Sequence, residues 1–148
     1  QLANQMAAIA NDGYYITPHL NKHDSMLLHK HQIDIDPKHF EVVKKGMHRV
    51  MTYGTGRHYR IDGIEVAGKT GTAENPHGKD HAIFIGFAPL ENPQIAVAVV
   101  VENAGFGATW AAPIASLMIE QYLTGDIKRK DLKNRIANTA INESVKIW

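Results

Sequence analysis

Between residues 63 and 76 the chain reads GIEVAGKTGTAENP. Two chemistries fit this stretch. Gly63, Gly68, Lys69 and Thr70 satisfy G-x-x-x-x-G-K-[ST], the pattern of a loop that cradles nucleotide phosphates. The same residues contain Lys69-Thr70-Gly71-Thr72, a Lys-Thr-Gly triplet that can form one wall of an acyl-transfer site.

The surroundings separate the two. A phosphate loop needs an apolar strand before its first glycine, a bare loop between the glycines, and a helix starting after the lysine. Arg57-His58-Tyr59-Arg60-Ile61-Asp62 is too polar for a central strand, and Ile64-Glu65-Val66 alternates as a strand does. After Lys69, Gly71 and Pro76 oppose a helix. The nucleotide match is therefore read as a coincidence. In extended structure, residues two apart share a face, so Lys69 falls with Gly71 and Thr70 with Thr72. With no side chain at Gly71, a substrate backbone can lie along the strand and pair with it, as a peptide adds to a sheet edge.

Such a strand needs a scaffold, and the rest of the chain supplies candidates. Leu2, Met6, Ile9 and Ala10 recur at helical spacing, and Asn11-Asp12-Gly13 is a stop signal. YYIT, with Pro18 behind it, reads as a short extended piece, and the polar NKHDSMLLHKHQID as a loop. Asp36 as N-cap and Pro37 at the first turn open a helix over 37–52. It carries Phe40, Val43, Met47, Val50 and Met51 and closes at Tyr53-Gly54-Thr55-Gly56. Ile64 and Val66 lead into Lys69 as a strand. The apolar runs 82–90 and 95–103, joined by Glu91-Asn92-Pro93, predict an antiparallel hairpin covered on both faces. Ile114, Leu117, Met118 and Tyr122 mark a helix running from Thr109 to a stop at Gly125, packed across the sheet.

Composition limits what this scaffold can do. At 148 residues and 44% hydrophobic content the chain has the size and apolar share of one soluble domain. The 16 Lys and Arg against 15 acids leave a formal charge of +1, so no nucleic-acid partner is expected. The absence of cysteine excludes disulfides, thiolate zinc sites and cysteine nucleophiles. No window reaches the roughly 18 apolar residues of a membrane span. The N-terminus QLANQMAAIAND lacks an initiator Met and a signal-peptide layout, and opens inside a helix, so the chain is read as a fragment. His77 and His81 are four apart beside Asp80, but Pro76 and Gly78 oppose a helix there and no third ligand is identifiable, so no metal is expected. His29 and His31 are read as solvated loop residues. Phe106 and Trp110 can line a groove or belong to the core, the commoner role at a strand-to-helix junction. Asn142-Glu143-Ser144 matches a glycosylation sequon by chance.

With these elements in order, Ala67-Gly68-Lys69-Thr70-Gly71-Thr72-Ala73-Glu74 resembles the third active-site motif of the penicillin-binding transpeptidases, the family that includes the serine β-lactamases. QLANQMAAIANDGYYITP is similar to the helix and strand upstream of that motif. Helix 37–52 with Gly54-Thr55-Gly56, and the hairpin FIGFAP…IAVAVVVEN, are similar to the remainder. The resemblance covers residues 1–125 and is strongest to the monofunctional class B enzymes of the elongation type, with the division type a near neighbour. It implies an α+β fold whose antiparallel sheet of about three strands packs against helices, with 1–125 the C-terminal part of a transpeptidase domain and 126–148 a charged tail or peripheral helix.

The resemblance also implies roles. Lys69 would keep the nucleophile pocket electropositive. Thr70 and Thr72 would bind the carboxylate of a stem peptide or a β-lactam, along bare Gly71, and the Thr72 N–H would serve the oxyanion hole. The family's nucleophile lies in S-x-x-K. Here Ser25, Ser116 and Ser144 are followed three residues on by Leu28, Ile119 and Ile147, and no S-x-N triplet occurs. The chain alone is therefore expected to be inactive. Its parent would cross-link peptidoglycan stem peptides through a serine acyl-enzyme without a cofactor. It would do so at the periplasmic face of the bacterial inner membrane, anchored by an upstream segment, beside a membrane glycosyltransferase of the elongation machinery. Alternatives are a β-lactam sensor, a degenerate transpeptidase-like scaffold, and a serine β-lactamase, the last disfavoured by the extended tail. Self-association or marginal stability is expected from a sheet edge and apolar face left without cover.

Overall fold

The computed structural model describes residues 1–20 and 29–140. Helix α1 spans Leu2–Ala10 and buries Met6, Ala8 and Ala10. Its end at Asn11 leads through Asp12 and Gly13, both at positive φ, into strand β1, Tyr14–Ile16. Strand β2, Lys30–Gln32, pairs antiparallel with β1, Tyr15 facing His31. This corrects the loop expected over the polar run. Residues 30–32 carry no apolar pattern, but their ladder is reinforced by rings: His31 stacks on Tyr15 at 4.7 Å between centroids, and Lys30 Nζ lies 3.8 Å from the Tyr14 ring centre. The rest of that run, with Ser25, lies outside the described residues.

Helix α2, Pro37–Thr52, begins as its sequence dictates. The Asp36 side chain accepts from the Lys38 N–H at 3.0 Å, Pro37 occupies the first turn, and the Lys38 ammonium beside Asp36 holds its carboxyl below the ordinary value. Phe40, Met47 and Met51 are buried, whereas Val43, expected in the core, is 44% exposed. The helix closes as the Gly54 and Gly56 N–H groups donate at 3.0 Å to the Arg49 and Val50 carbonyls. A 3₁₀ turn, Arg57–Tyr59, follows.

The central sheet contains β3 (Ala67–Ala73), β4 (His81–Ala88) and β5 (Ile95–Val101) in the order β3-β4-β5, all antiparallel. Thr70 faces Phe84, and Phe84 faces Val99 across the ladders. Period-2 alternation divides β4 between two cores. Ala82, Phe84 and Ala88 join Val97 and Val99 against Ala111, Ala112, Ala115 and Ile119 of helix α3, Ala111–Thr124. Phe87 joins Ala67 against Met6 and Ala10 of α1 and Met47 of α2. The two-sided cover expected from the apolar runs holds in part: the second face is covered at its Phe87 end, while Ile83 is half-buried and Val100 is 53% exposed.

Helix α3 ends at Gly125, whose φ of 78° lies in the left-handed region that suits a glycine cap. Helix α4, Lys130–Asn138, follows within the stretch read as a charged tail or peripheral helix; residues 141–148, with the chance sequon, lie outside the described residues. Arg129 joins these parts. Its Nε donates to Glu120 Oε2 at 3.0 Å, its Nη1 to the Tyr59 and Arg60 carbonyls at 3.3 Å each, and its Nη2 to the Ser116 carbonyl at 2.9 Å. Among the described residues no helix is long and apolar enough to cross a membrane.

Candidate functional site

Strand β3 is an edge strand: β4 pairs one side of it, and no strand pairs the other among the described residues. An unpaired edge carries backbone donors and acceptors that an extended peptide can engage. Lys69 and Thr72 are exposed, Gly71 is half-buried, and Thr70 is buried at 9% exposure. Lys69 Nζ donates to the Thr70 carbonyl at 2.5 Å, which holds the ammonium close to the strand. Thr70 Oγ1 lies 2.7 Å from Thr55 Oγ1. The four residues thus bring a cation and two hydroxyls to one short length of open edge. That set can receive a carboxylate-bearing extended ligand.

Close packing fixes the strand. The Phe84 ring lies over the backbone of Gly68, where an added Cβ would run into the ring, and over Gly86, where it would come within 3.0 Å of Phe84 Cε1. The glycine that completed the phosphate-loop pattern therefore accommodates an aromatic ring. Gly107 lies against backbone instead: a Cβ there would run into the carbonyl oxygens of Ile83 and Gly71. The segment leading into α3 consequently lies directly on Gly71, and bulk at Gly107 would push it off the strand.

The β3–β4 loop is held by polar groups. The Asn75 N–H donates to Asp80 Oδ1 at 3.2 Å, Asn75 Nδ2 to Asn103 Oδ1 at 2.6 Å, and the Asn103 N–H to His81 Nδ1 at 3.0 Å. Asp80 and His81 are thus engaged in shaping the loop beside the strand. Of the two aromatics, Phe106 is 73% exposed, whereas Trp110 packs partly buried against the core of α3. His31, expected to be solvated, accepts or donates a 2.9 Å bond with Thr17 Oγ1 in addition to its stack on Tyr15. Ser116 is buried in α3, donates to the Pro113 carbonyl and receives Arg129, so its hydroxyl is committed to structure. Thr55 was not singled out from the sequence. It stands in a Gly-Thr-Gly turn whose only chemical signal is a hydroxyl, and only the fold brings it to Thr70.

The chain thus presents an edge strand bearing Lys-Thr-Gly-Thr, backed by a helix-covered antiparallel sheet. The model of the penicillin binding protein transpeptidase domain matches residues 1–120, and the chain belongs to that family. Its relatives include enzymes of the class B penicillin-binding protein 2, or MrdA, type. The peptidoglycan D,D-transpeptidase MrdA of Haemophilus influenzae is 36% identical over 83% of this chain and 23% of its own length. MrdA of Acinetobacter baumannii is 31% identical over 96% of this chain and 24% of its own. Among solved structures, Pseudomonas aeruginosa PBP2 in complex with WCK 5153 superposes with a TM-score of 0.71 at 36% identity, covering 86% of this chain and 30% of that one. Penicillin-binding protein A of M. tuberculosis, as a penicillin G acyl-enzyme complex, gives 0.66 at 31% identity, covering 82% and 31%. The chain spans about a quarter of the length of the curated relatives it matches.

Proposed function

We propose that the protein containing this chain is a serine D,D-transpeptidase that cross-links peptidoglycan stem peptides and is acylated by β-lactams. The observation that carries this reading is the Lys69–Thr72 run on an open sheet edge, within a domain of the transpeptidase family. In this reading Lys69 keeps the pocket of an upstream serine electropositive. Gly71 lets the donor peptide backbone lie against β3. Thr70 and Thr72 hold the donor's terminal carboxylate, or that of a β-lactam, and the Thr72 N–H stabilises the oxyanion formed when the serine attacks. No cofactor enters this chemistry. In this reading residues 1–125 form the C-terminal part of the transpeptidase domain and 126–148 a charged tail or peripheral helix, whose described start is tied to α3 by Arg129.

The protein is assigned to the periplasmic face of the bacterial inner membrane, where its substrate lies, anchored by a segment outside this chain. Within the proposed elongation machinery, partnership with an MreC-type protein is supported by the complex between PBP2 and MreC of Helicobacter pylori, 25% identical to this chain. A membrane glycosyltransferase of the same machinery is the proposed enzymatic partner. On β3 and β4, Ile83 and Ile85 stay only half-buried beside Lys69 and Gly71. The isolated chain is therefore expected to self-associate, with a sedimentation coefficient that rises with concentration. A monomer value that stays constant as concentration rises would count against it.

The function is tested by incubating the full-length protein with benzylpenicillin, measuring intact mass and mapping the adduct. A single covalent adduct on a serine is expected. Replacing Lys69 with alanine should slow its formation by about 100- to 1000-fold, the loss typical for one preorganised electrostatic group. No adduct in a folded full-length protein would overturn the enzymatic reading. Rapid release of hydrolysed antibiotic would indicate a β-lactamase, and acylation without any stem-peptide turnover a sensor.

A further inference from the structure

We propose that Thr55 is a positioning residue that acts through Thr70: its hydroxyl donates to Thr70 Oγ1 and thereby directs the Thr70 proton to the ligand carboxylate. This rests on the carboxylate-binding role given to Thr70 above.

Thr70 is buried, and Thr55 Oγ1, at 2.7 Å, is the side-chain partner of its hydroxyl among the described residues. A buried hydroxyl needs such a partner. Each threonine has one proton and two lone pairs, so the direction of this bond decides what Thr70 offers a ligand. If Thr70 donates to Thr55, it presents only lone pairs to an incoming carboxylate, and the contact is repulsive. If Thr55 donates, the Thr70 proton is free, and the accepted bond polarises it toward the anion. A carboxylate therefore selects the order Thr55 to Thr70 to ligand. Thr55 is exposed, so water can satisfy its own lone pairs.

The turn is built to hold Thr55 in place. Gly54 and Gly56 on either side are tied to the last turn of α2 through the Arg49 and Val50 carbonyls. Neither site has room for a side chain: a Cβ at Gly54 would lie 2.8 Å from Val50 Cα, and one at Gly56 would run into the Met51 sulfur. The end of α2 thus sets the position of a hydroxyl fifteen residues before the one it orients.

The test uses the full-length protein and separates pre-covalent binding of benzylpenicillin from the limiting acylation rate. Thr55→Val, which keeps the shape and removes the hydroxyl, should weaken pre-covalent binding about tenfold, the scale of a hydrogen bond to a charged group, with the limiting rate little changed. Thr55→Ser should restore binding. Benzylpenicillin methyl ester, which has no carboxylate, should bind both forms alike. In a Thr70→Val background the Thr55→Val effect should vanish, because the two act as one unit. Undiminished binding by Thr55→Val, an equal loss for the methyl ester, or full additivity with Thr70→Val would each overturn the proposal while leaving the enzyme reading standing. Failure of the unmodified protein to acylate would refute the enzyme reading itself, and the proposal with it.

Discussion

Replacing Arg129 with alanine is expected to lower the unfolding free energy by about 3–5 kcal/mol, the cost of stranding one member of a buried ion pair. The Glu120 side chain is 4% exposed, and Arg129 Nε at 3.0 Å is its charged partner. After the change, its carboxylate would keep the Lys128 N–H at 3.2 Å and lose its cationic partner. Desolvation of an anion is not repaid by one neutral donor. The guanidinium also donates to Ser116, Tyr59 and Arg60, so its loss removes donors from a helix and from the loop after α2 together. Urea unfolding checks this through a lower midpoint at unchanged slope. The double replacement Glu120→Leu with Arg129→Met separates the pair's net value from the cost of breaking it: it should recover most of the loss, since a matched apolar pair is often as stable as a buried ionic one. A loss below about 1 kcal/mol in Arg129→Ala, the range of a solvated surface pair, would show that the pair is not desolvated.

The elements legible in the sequence are those whose stabilisation is local or strongly patterned. Asp36 and Pro37 announce α2 because cap and first turn lie within two residues of each other. The β4–β5 hairpin announces itself because its strands contribute to a core on each face and so read as unbroken apolar runs. Strand β2 does not, because Lys30-His31-Gln32 has neither apolar alternation nor β-branched residues and owes its pairing to Tyr14 and Tyr15. The start of β3 was misplaced for a similar reason: Ile64 alternates with Val66 but bridges back to Ile61, and the regular strand begins at Ala67. At the site, Lys69 to Thr72 were visible as a contiguous pattern. Thr55 was invisible, since a lone hydroxyl between glycines has many uses and its partner is chosen by packing of α2 beside β3. Phe106 and Trp110 could not be separated by type; the fold turns the first outward and packs the second, half-buried, against the core.

Phe84→Ala should cost about 3–5 kcal/mol, as large-to-small changes of buried aromatics do. The ring is fully buried at the centre of β4, opposite Thr70 on one side and Val99 on the other. It fills the space left by two paired glycines, Gly68 and Gly86, so its removal opens a void that no neighbouring Cβ can close. The converse change separates packing from chance in the Gly-Lys-Thr pattern. Gly68→Ala drives a methyl into the ring and should cost about 1–3 kcal/mol by overpacking. Combined with Phe84→Leu, which clears the far end of the ring, the alanine should be tolerated, and the two changes together should cost less than their sum, as contacting residues do. Thermal or urea midpoints of the four proteins complete this cycle. Strict additivity, or an unpenalised Gly68→Ala in the original background, would mean that Gly68 is not held by Phe84. The coupled outcome places the constraint on this glycine within the sheet: it lets an aromatic ring lie flat beneath the strand, which keeps Lys69, Thr70 and Thr72 in register at the open edge.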